Sequence, residues 1–283
     1  MKSSLVLSLL ALETCSAAAQ KVLSLDLQKH RKSAPLRKRA TVLEPLGNAE
    51  FLYYANVTVG TPGQMLSLQI DTGSSDVWMT ATGDSFCQQD QYNCAGGTFT
   101  PSQSSTYNVV AQGGFNISYV DGTGSSGDFF TDQLSIGGVT LNSLQMGIAT
   151  TTTIGTGIIG VGFAADESVC TSAGPCQTYP TVVEQLVSQN KINSKAYSLW
   201  LNDLYASTGS LLFGGVDTDK YMGSLVTLPI QPDSQSNSIT SFTVAFTDFT
   251  IGTSQGERTG FVPSGFVSPA ILDSGTTLTV GCL

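Results

Sequence analysis

Two short stretches carry the same acid-centred pattern. Asp71-Thr72-Gly73-Ser74 follows the apolar run ending at Ile70, and Asp273-Ser274-Gly275-Thr276 follows Ala270-Ile271-Leu272. One such tetrapeptide can be no more than a turn after a strand, with Asp and Gly serving the backbone. Two, each delivered by an apolar strand, point instead to paired carboxylates. In each copy the Gly amide and the following Ser/Thr hydroxyl can hold the Asp oxygens. Two carboxyls brought within about 3 Å cannot both ionise, so they share a proton. The ionised partner can then take a proton from a bound water while the protonated one polarises a carbonyl. That is hydrolysis by direct attack of water.

The rest of the composition leaves few other routes to catalysis. The single histidine, His30, lies in the basic stretch 20–39, so the body has none. Ser-His-Asp and Cys-His sites and histidine-bound metals fall away together, and neither a metal nor a cofactor is expected. Residues 1–39 hold eight of the 12 Lys/Arg but two of the 21 acids, leaving a body with a net charge near −15. Such a body repels nucleic acid and anionic membranes, and its self-repulsion eases in acid.

The elements that must position the two acids are short strands. Gly, Ser and Thr are abundant, charge is sparse and helix-period runs are few, a profile of strands joined by tight turns. Two alternating runs around Gly60-Thr61-Pro62-Gly63 predict a hairpin leading to Asp71. Val57-Thr58-Val59-Gly60-Thr61 is echoed by Phe249-Thr250-Ile251-Gly252-Thr253, with 11 residues from Gly to Asp in the first copy and 21 in the second. One supersecondary unit used twice, with a longer loop the second time, accounts for both. Further strands are expected in "GFNISYV", "DFFTDQLSI", "TLNSLQMGIA", "GIIGVGF", "AYSLWL" and "GSLLFGGVD". Val182, Val183, Leu186 and Val187 predict one short helix over 180–189.

The N-terminus has the marks of export. Lys2, the apolar run Leu5 to Leu12 and Ala17-Ala18-Ala19 form a secretory signal over 1–19. The run is far short of the roughly 20 apolar residues of a membrane span. Residues 20–39, ending in Arg37-Lys38-Arg39, fit a pro-segment better than a nucleic-acid patch. In an oxidising compartment Cys87 with Cys94, and Cys170 with Cys176, are expected as local disulfides, leaving Cys282 unpaired. Asn56-Val57-Thr58 and Asn116-Ile117-Ser118 match the glycan acceptor pattern, although both lie on predicted strands, where the match often arises by accident.

From residue 40 to about 280 the chain resembles the pepsin-like aspartic endopeptidases, particularly their secreted fungal branch. The resemblance rests on Asp71-Thr72-Gly73-Ser74-Ser75 with Trp78, on Asp273-Ser274-Gly275-Thr276-Thr277, and on "ISYVDGTGSSG". It extends to "GIIGVGF", like the segment that threads under the first catalytic loop, and to "SLLFGGVDTDKYMGSL". It implies an all-β, bilobal fold with few short helices. A proton shared between two Asp is a known property of that family. By the same resemblance Asp71 and Asp273 are catalytic, and Thr72 and Ser274 form a crossed hydroxyl–backbone grip beneath them. Gly73 and Gly275 belong to the same support, and Ser74 and Thr276 bond the outer carboxylate oxygens. Tyr119, Asp121 and Gly122 form a flap over substrate, with Trp78 shaping the pocket wall and receiving the Tyr119 hydroxyl. Val120 departs from the Gly usual there and is expected to stiffen the turn. Substrates would be proteins or peptides, with the chain's own pro-segment as inhibitor and a monomeric enzyme. The destination is secreted or extracellular, with the vacuole or cell wall as variants.

The lobes are expected at 40–225 and 226–283, the second cut short ten residues after Asp273. That leaves the Asp273 loop without evident support opposite Asp71, and the chain's activity in doubt. Three other readings compete. A non-catalytic binding protein of the same fold would normally have lost one Asp. A carboxylate glycosidase would lack the flanking Ser/Thr-Gly pattern. A structural wall protein would not repeat an Asp-centred loop.

Overall fold

The computed structural model describes residues 21–32, 50–90, 93–170, 176–203, 206–234, 236–252 and 258–277. The signal stretch, Cys282 and the dibasic Lys38-Arg39 lie outside them. Ten strands form one sheet. In chain order they are β1 (Leu23–Lys32), β2 (Glu50–Val59), β3 (Gln64–Asp71), β4 (Val77–Thr80) and β5 (Asn108–Ser118). There follow β6 (Gly124–Ile136), β7 (Val139–Thr152), β8 (Ile158–Gly160), β9 (Tyr197–Trp200) and β10 (Thr208–Phe213). Across the sheet the order is β5-β6-β7-β4-β8-β3-β2-β1-β10-β9, and β2 also pairs with β6.

The β2–β3 hairpin turns where the sequence predicts, at Gly60. Its φ is +87°, and a Cβ there would meet the Ser104 Oγ at 2.7 Å, so glycine is required twice over. Alternation buries one side of strands such as β6, while the central β4 and β8 are buried on both sides. Leu66, Leu68 and Ile70 of β3 join Phe130 and Leu134 of β6 in one core. A second apolar cluster, built on Trp78, Phe115 and Phe129, lies beneath the β5–β6 turn.

Leu23–Lys32 was separated from the body on sequence grounds, yet it forms β1, a strand inside the sheet. It pairs antiparallel with β10 over Leu23–Gln28 and with β2 over Gln28–Lys32. Leu23, Leu25 and Leu27 are buried in the main core while Ser24, Asp26 and Gln28 face solvent. The period-two pattern of Leu-x-Leu-x-Leu explains the insertion.

Helix is sparse. One short helix, α1 (Ser85–Gln89), starts at an Asp84 cap. The predicted helix is α2 (Val182–Ser188), with Val182, Val183 and Leu186 buried. Thr181 caps it and Glu184 completes a capping box, so Pro180 stands just ahead of the cap rather than in the first turn.

Beyond β10 two small sheets appear. β11 (Thr243–Phe246) pairs with β14 (Ser268–Ile271), and between them β12 (Thr250–Gly252) pairs with β13 (Arg258–Gly260). The echo strand of the repeat is β12, which pairs with β13, whereas β14, the strand leading to Asp273, pairs with β11. The second hairpin expected from Phe249–Thr253 is therefore not formed, because β11 takes the place beside β14 that the echo strand would need.

Candidate active site

Asp71 ends β3, and Asp273 stands two residues beyond β14. The two loops make the same bonds. The Gly73 amide donates to Asp71 Oδ1 at 2.8 Å and the Ser74 hydroxyl to Oδ2 at 2.5 Å. The Gly275 amide donates to Asp273 Oδ1 at 2.7 Å and the Thr276 hydroxyl to Oδ2 at 2.6 Å.

Four further bonds cross between the loops. The Thr72 amide donates to Ser274 Oγ at 3.1 Å, and the Ser274 amide donates to Thr72 Oγ1 at 2.9 Å. Each hydroxyl then donates onward, Thr72 to the Leu272 carbonyl at 2.8 Å and Ser274 to the Ile70 carbonyl at 3.0 Å. The Gln69 side chain adds a bond to the Gly275 carbonyl at 3.2 Å. The Asp273 loop is thus held opposite Asp71 by bonds within the described chain, which corrects the expectation that nothing supports it.

The glycines are set by the opposite carboxyl. A Cβ on Gly73 would lie 2.6 Å from Asp273 Cγ, and one on Gly275 would lie 2.4 Å from Asp71 Oδ1. No side chain fits at either place while both acids stay where they are. Asp71 is 4% exposed. Its carboxyl is pushed up to about 7, by burial first and also by the neighbouring Asp273 carboxyl, against the lowering effect of the Ser74 and Gly73 bonds. A carboxyl held protonated next to a second carboxyl has the character of a proton-sharing pair.

The Asp71 loop rests on β8 and its extension. β8 runs parallel to β3 with Gly160 opposite Asp71, and the Val161 amide donates to the Asp71 carbonyl at 2.9 Å. A Cβ on Gly160 would sit 2.6 Å from the Ser75 backbone, so this segment passes directly beneath the loop. The predicted flap is the β5–β6 turn. Its bonds run from the Tyr119 amide to the Thr123 carbonyl and from the Gly122 amide to the Tyr119 carbonyl, while Asp121 accepts from the Thr123 amide and hydroxyl. Gly122 takes a φ of +82°. Val120 is fully exposed at the apex, 109% by area, so its side chain packs against nothing there. The buried Trp78 donates its indole N–H to the Tyr119 hydroxyl at 2.9 Å, so that hydroxyl is the acceptor. Cys87–Cys94 and Cys170–Cys176 are both disulfides. Asn56 and Asn116 sit exposed on β2 and β5.

One group of side chains escapes the sequence reading. Asp76, in the loop after Asp71, is buried and accepts from the Ser168 amide and hydroxyl and from the Tyr179 hydroxyl. Burial raises its carboxyl above the usual range. Glu167, also buried, accepts from the Tyr179 amide and is pushed up to about 8 by burial, with Asp76 and Glu184 adding to the rise. Its Oε1 has no partner among the described residues. Asp166 is raised to about 6, by burial and by Asp76. An acid inside "SSDVW", ahead of a buried Trp, is the one local hint of this cluster.

The comparisons with known proteins agree with this geometry. Residues 52–282 match the family model described as eukaryotic aspartyl protease. A probable aspartic-type endopeptidase, opsB, of Aspergillus fumigatus is 44% identical over 266 residues, covering 91% of this chain and 54% of that protein. Secreted aspartic protease 8 of Candida albicans is 37% identical, covering 87% of this chain and 56% of that protein. The chain spans little more than half the length of these relatives. The crystal structure of an aspartic proteinase from Irpex lacteus has the same fold, with a TM-score of 0.66 and 24% identity over 92% of this chain and 64% of that one. With its paired acids held in matching loops and a family match across most of its length, the chain belongs to the eukaryotic aspartyl proteases.

Proposed function

We propose that the chain carries the dyad of a secreted aspartic endopeptidase that hydrolyses peptide bonds in acid. The matching hydrogen-bond sets of Asp71 and Asp273 carry this reading. In the mechanism the pair holds one proton. The ionised carboxylate removes a proton from a bound water, and the water oxygen attacks the peptide carbonyl carbon. The protonated carboxyl gives its proton to the carbonyl oxygen, producing a tetrahedral diol. The newly protonated carboxyl then gives its proton to the amide nitrogen while its partner takes a proton from a diol hydroxyl. The C–N bond breaks, and acid and amine leave with the pair again holding one proton. Thr72 and Ser274 keep the two loops in register, while Ser74 and Thr276 fix the carboxylate planes. Tyr119, held by Trp78, with Asp121 and Gly122 closes over an extended peptide. Thr72, Ser274 and the two glycines act by positioning and do not touch substrate.

The raised carboxyl of Asp71 sets the direction of the pH dependence. The shared proton is present in acid and is lost as pH rises through about 7, so cleavage fails above that point. Residues 1–19 supply export. Residues 20–39 serve as a pro-segment, with a recombinant form starting at Ala40 differing in activity from one that keeps them. Relatives named as secreted proteases support the destination.

The test is cleavage of a denatured protein substrate at acidic pH, with and without a hydroxyl-statine inhibitor. Asp71→Asn and Asp273→Asn should each lower turnover by on the order of a thousandfold or more, and the inhibitor should block the parent chain. Cleavage that survives both substitutions would refute the assignment.

A further inference from the structure

We infer that Asn56 carries an N-linked glycan whose first sugar lies over Met65 on the outer face of the sheet; this rests on the proposed secretory route. The sequence pattern alone leaves the site undecided, because acceptor motifs on strands are often unused. The structure adds three observations. First, β2 changes partners at this point. It pairs with β1 up to Tyr54 and with β6 from Val57, so Asn56 stands at a fork where that flank of the strand is unpaired. Second, the Asn56 side chain is exposed and makes no hydrogen bond among the described residues, and Thr58 lies two residues on, along the same face. Third, the fork opens a shallow cavity of about 230 Å³ lined by Asn56, Thr58, Met65, Ser135, Gly137 and Gly138 among others, none of them charged.

Met65 is the anomaly in this surface. It is 77% exposed on β3, directly opposite Thr58 of β2, beside an uncharged hollow. A pyranose ring has one C–H-rich face, and an uncharged hollow next to a thioether is the surface on which that face can rest. The covalent step takes a polyprenyl-diphosphate-linked oligosaccharide as donor. The Asn56 Nδ2 forms a bond to the anomeric carbon of the first N-acetylglucosamine. The bond from that carbon to the diphosphate breaks, and the amide proton leaves with the diphosphate.

The experiment expresses the chain in a eukaryotic secretory host in two arms, one behind residues 1–19 and one behind a heterologous leader. Peptides spanning Asn56 and Met65 are then read by mass spectrometry after brief peroxide treatment. The parent and Thr58→Ser should carry the glycan at Asn56, and Thr58→Val, which keeps the shape and removes the hydroxyl, should not. Met65 sulfoxide should form more slowly in the glycosylated protein than in Thr58→Val or in endoglycosidase-trimmed parent, while exposed Met222 oxidises equally in all of them. An unmodified Asn56 in the heterologous-leader arm overturns the site. Equal Met65 oxidation with and without the sugar overturns the contact. Failure to secrete behind residues 1–19 alone counts against the secretory reading, and the other arm still decides the site.

Discussion

At the scale of single residues, the dyad was legible because its support is local. Each Asp is bonded by groups two and three positions ahead of it, so the tetrapeptide announces the site. The glycines were legible only as part of the motif. Their reason is spatial, since each faces the carboxyl delivered by the other loop. Gly275→Ala should therefore act on chemistry before it acts on folding. The new methyl would fall 2.4 Å from Asp71 Oδ1 and 3.1 Å from Asp273 Oδ1. Displacing a reacting carboxyl by about an ångström can cost on the order of a hundredfold in rate. Steady-state kinetics alongside a thermal melt would check this, the expected outcome being a large fall in kcat with little change in Tm. Asp76 shows the opposite case. Its partners Ser168 and Tyr179 are 92 and 103 residues away, and no spacing rule reaches that far.

Among the elements, the turn that carries Ala164–Ser168 links pH to the body of the sheet. Asp76 meets it from the loop before β4, Tyr179 from the segment before α2, and Glu184 from α2 itself. Tyr119 of the flap also faces Asp76. No described Lys or Arg pairs with Glu167 or Asp76, and Lys195 bonds Glu184 instead. Because the Glu167 carboxyl is raised to about 8 from an ordinary value of 4.5, the folded state favours its protonated form. Its contribution to stability is whole below about 4.5 and is lost as pH climbs toward 8. Glu167→Gln removes that titration. Melting curves should show parent and variant alike at pH 4, and the variant more stable at pH 7.5. A variant that melts lower than the parent at both values would show that the carboxyl, protonated or not, is needed for its bond to Tyr179. Strand positions in this region were readable from alternation. The buried acids were not, because alternation identifies apolar positions and says nothing of which polar groups a turn will enclose.

For the whole molecule, the hairpin leading to Asp71 was readable, but its second copy was not, since the strand leading to Asp273 pairs with Thr243–Phe246 and not with the echo strand. The echo of Phe249–Thr253 marks a strand, β12, without naming its partner, which is β13. Charge divides the chain unevenly, with the basic residues gathered before residue 40 and the body left acidic. That division separates two segments by composition, yet the fold interleaves them, because three leucines at alternate positions weigh more in the sheet than the charges beyond them. Leu27, at 0% exposure, makes a direct check. Leu27→Ala should cost about 2–5 kcal/mol, measurable by urea unfolding, whereas an appended leader would tolerate it without change.

The place of β1 carries one more consequence. Among the described strands it alone joins β10 and β9 to the remaining seven. Proteolysis after Arg39 would divide the polypeptide without dividing the domain. A cut molecule should show two bands in denaturing gels but run as one species in native gel filtration, with the small fragment leaving only when the body melts or another strand of like periodicity takes the vacated slot. Nicking and liberation would then be two clocks, the first set by a protease and the second by how rarely this sheet opens.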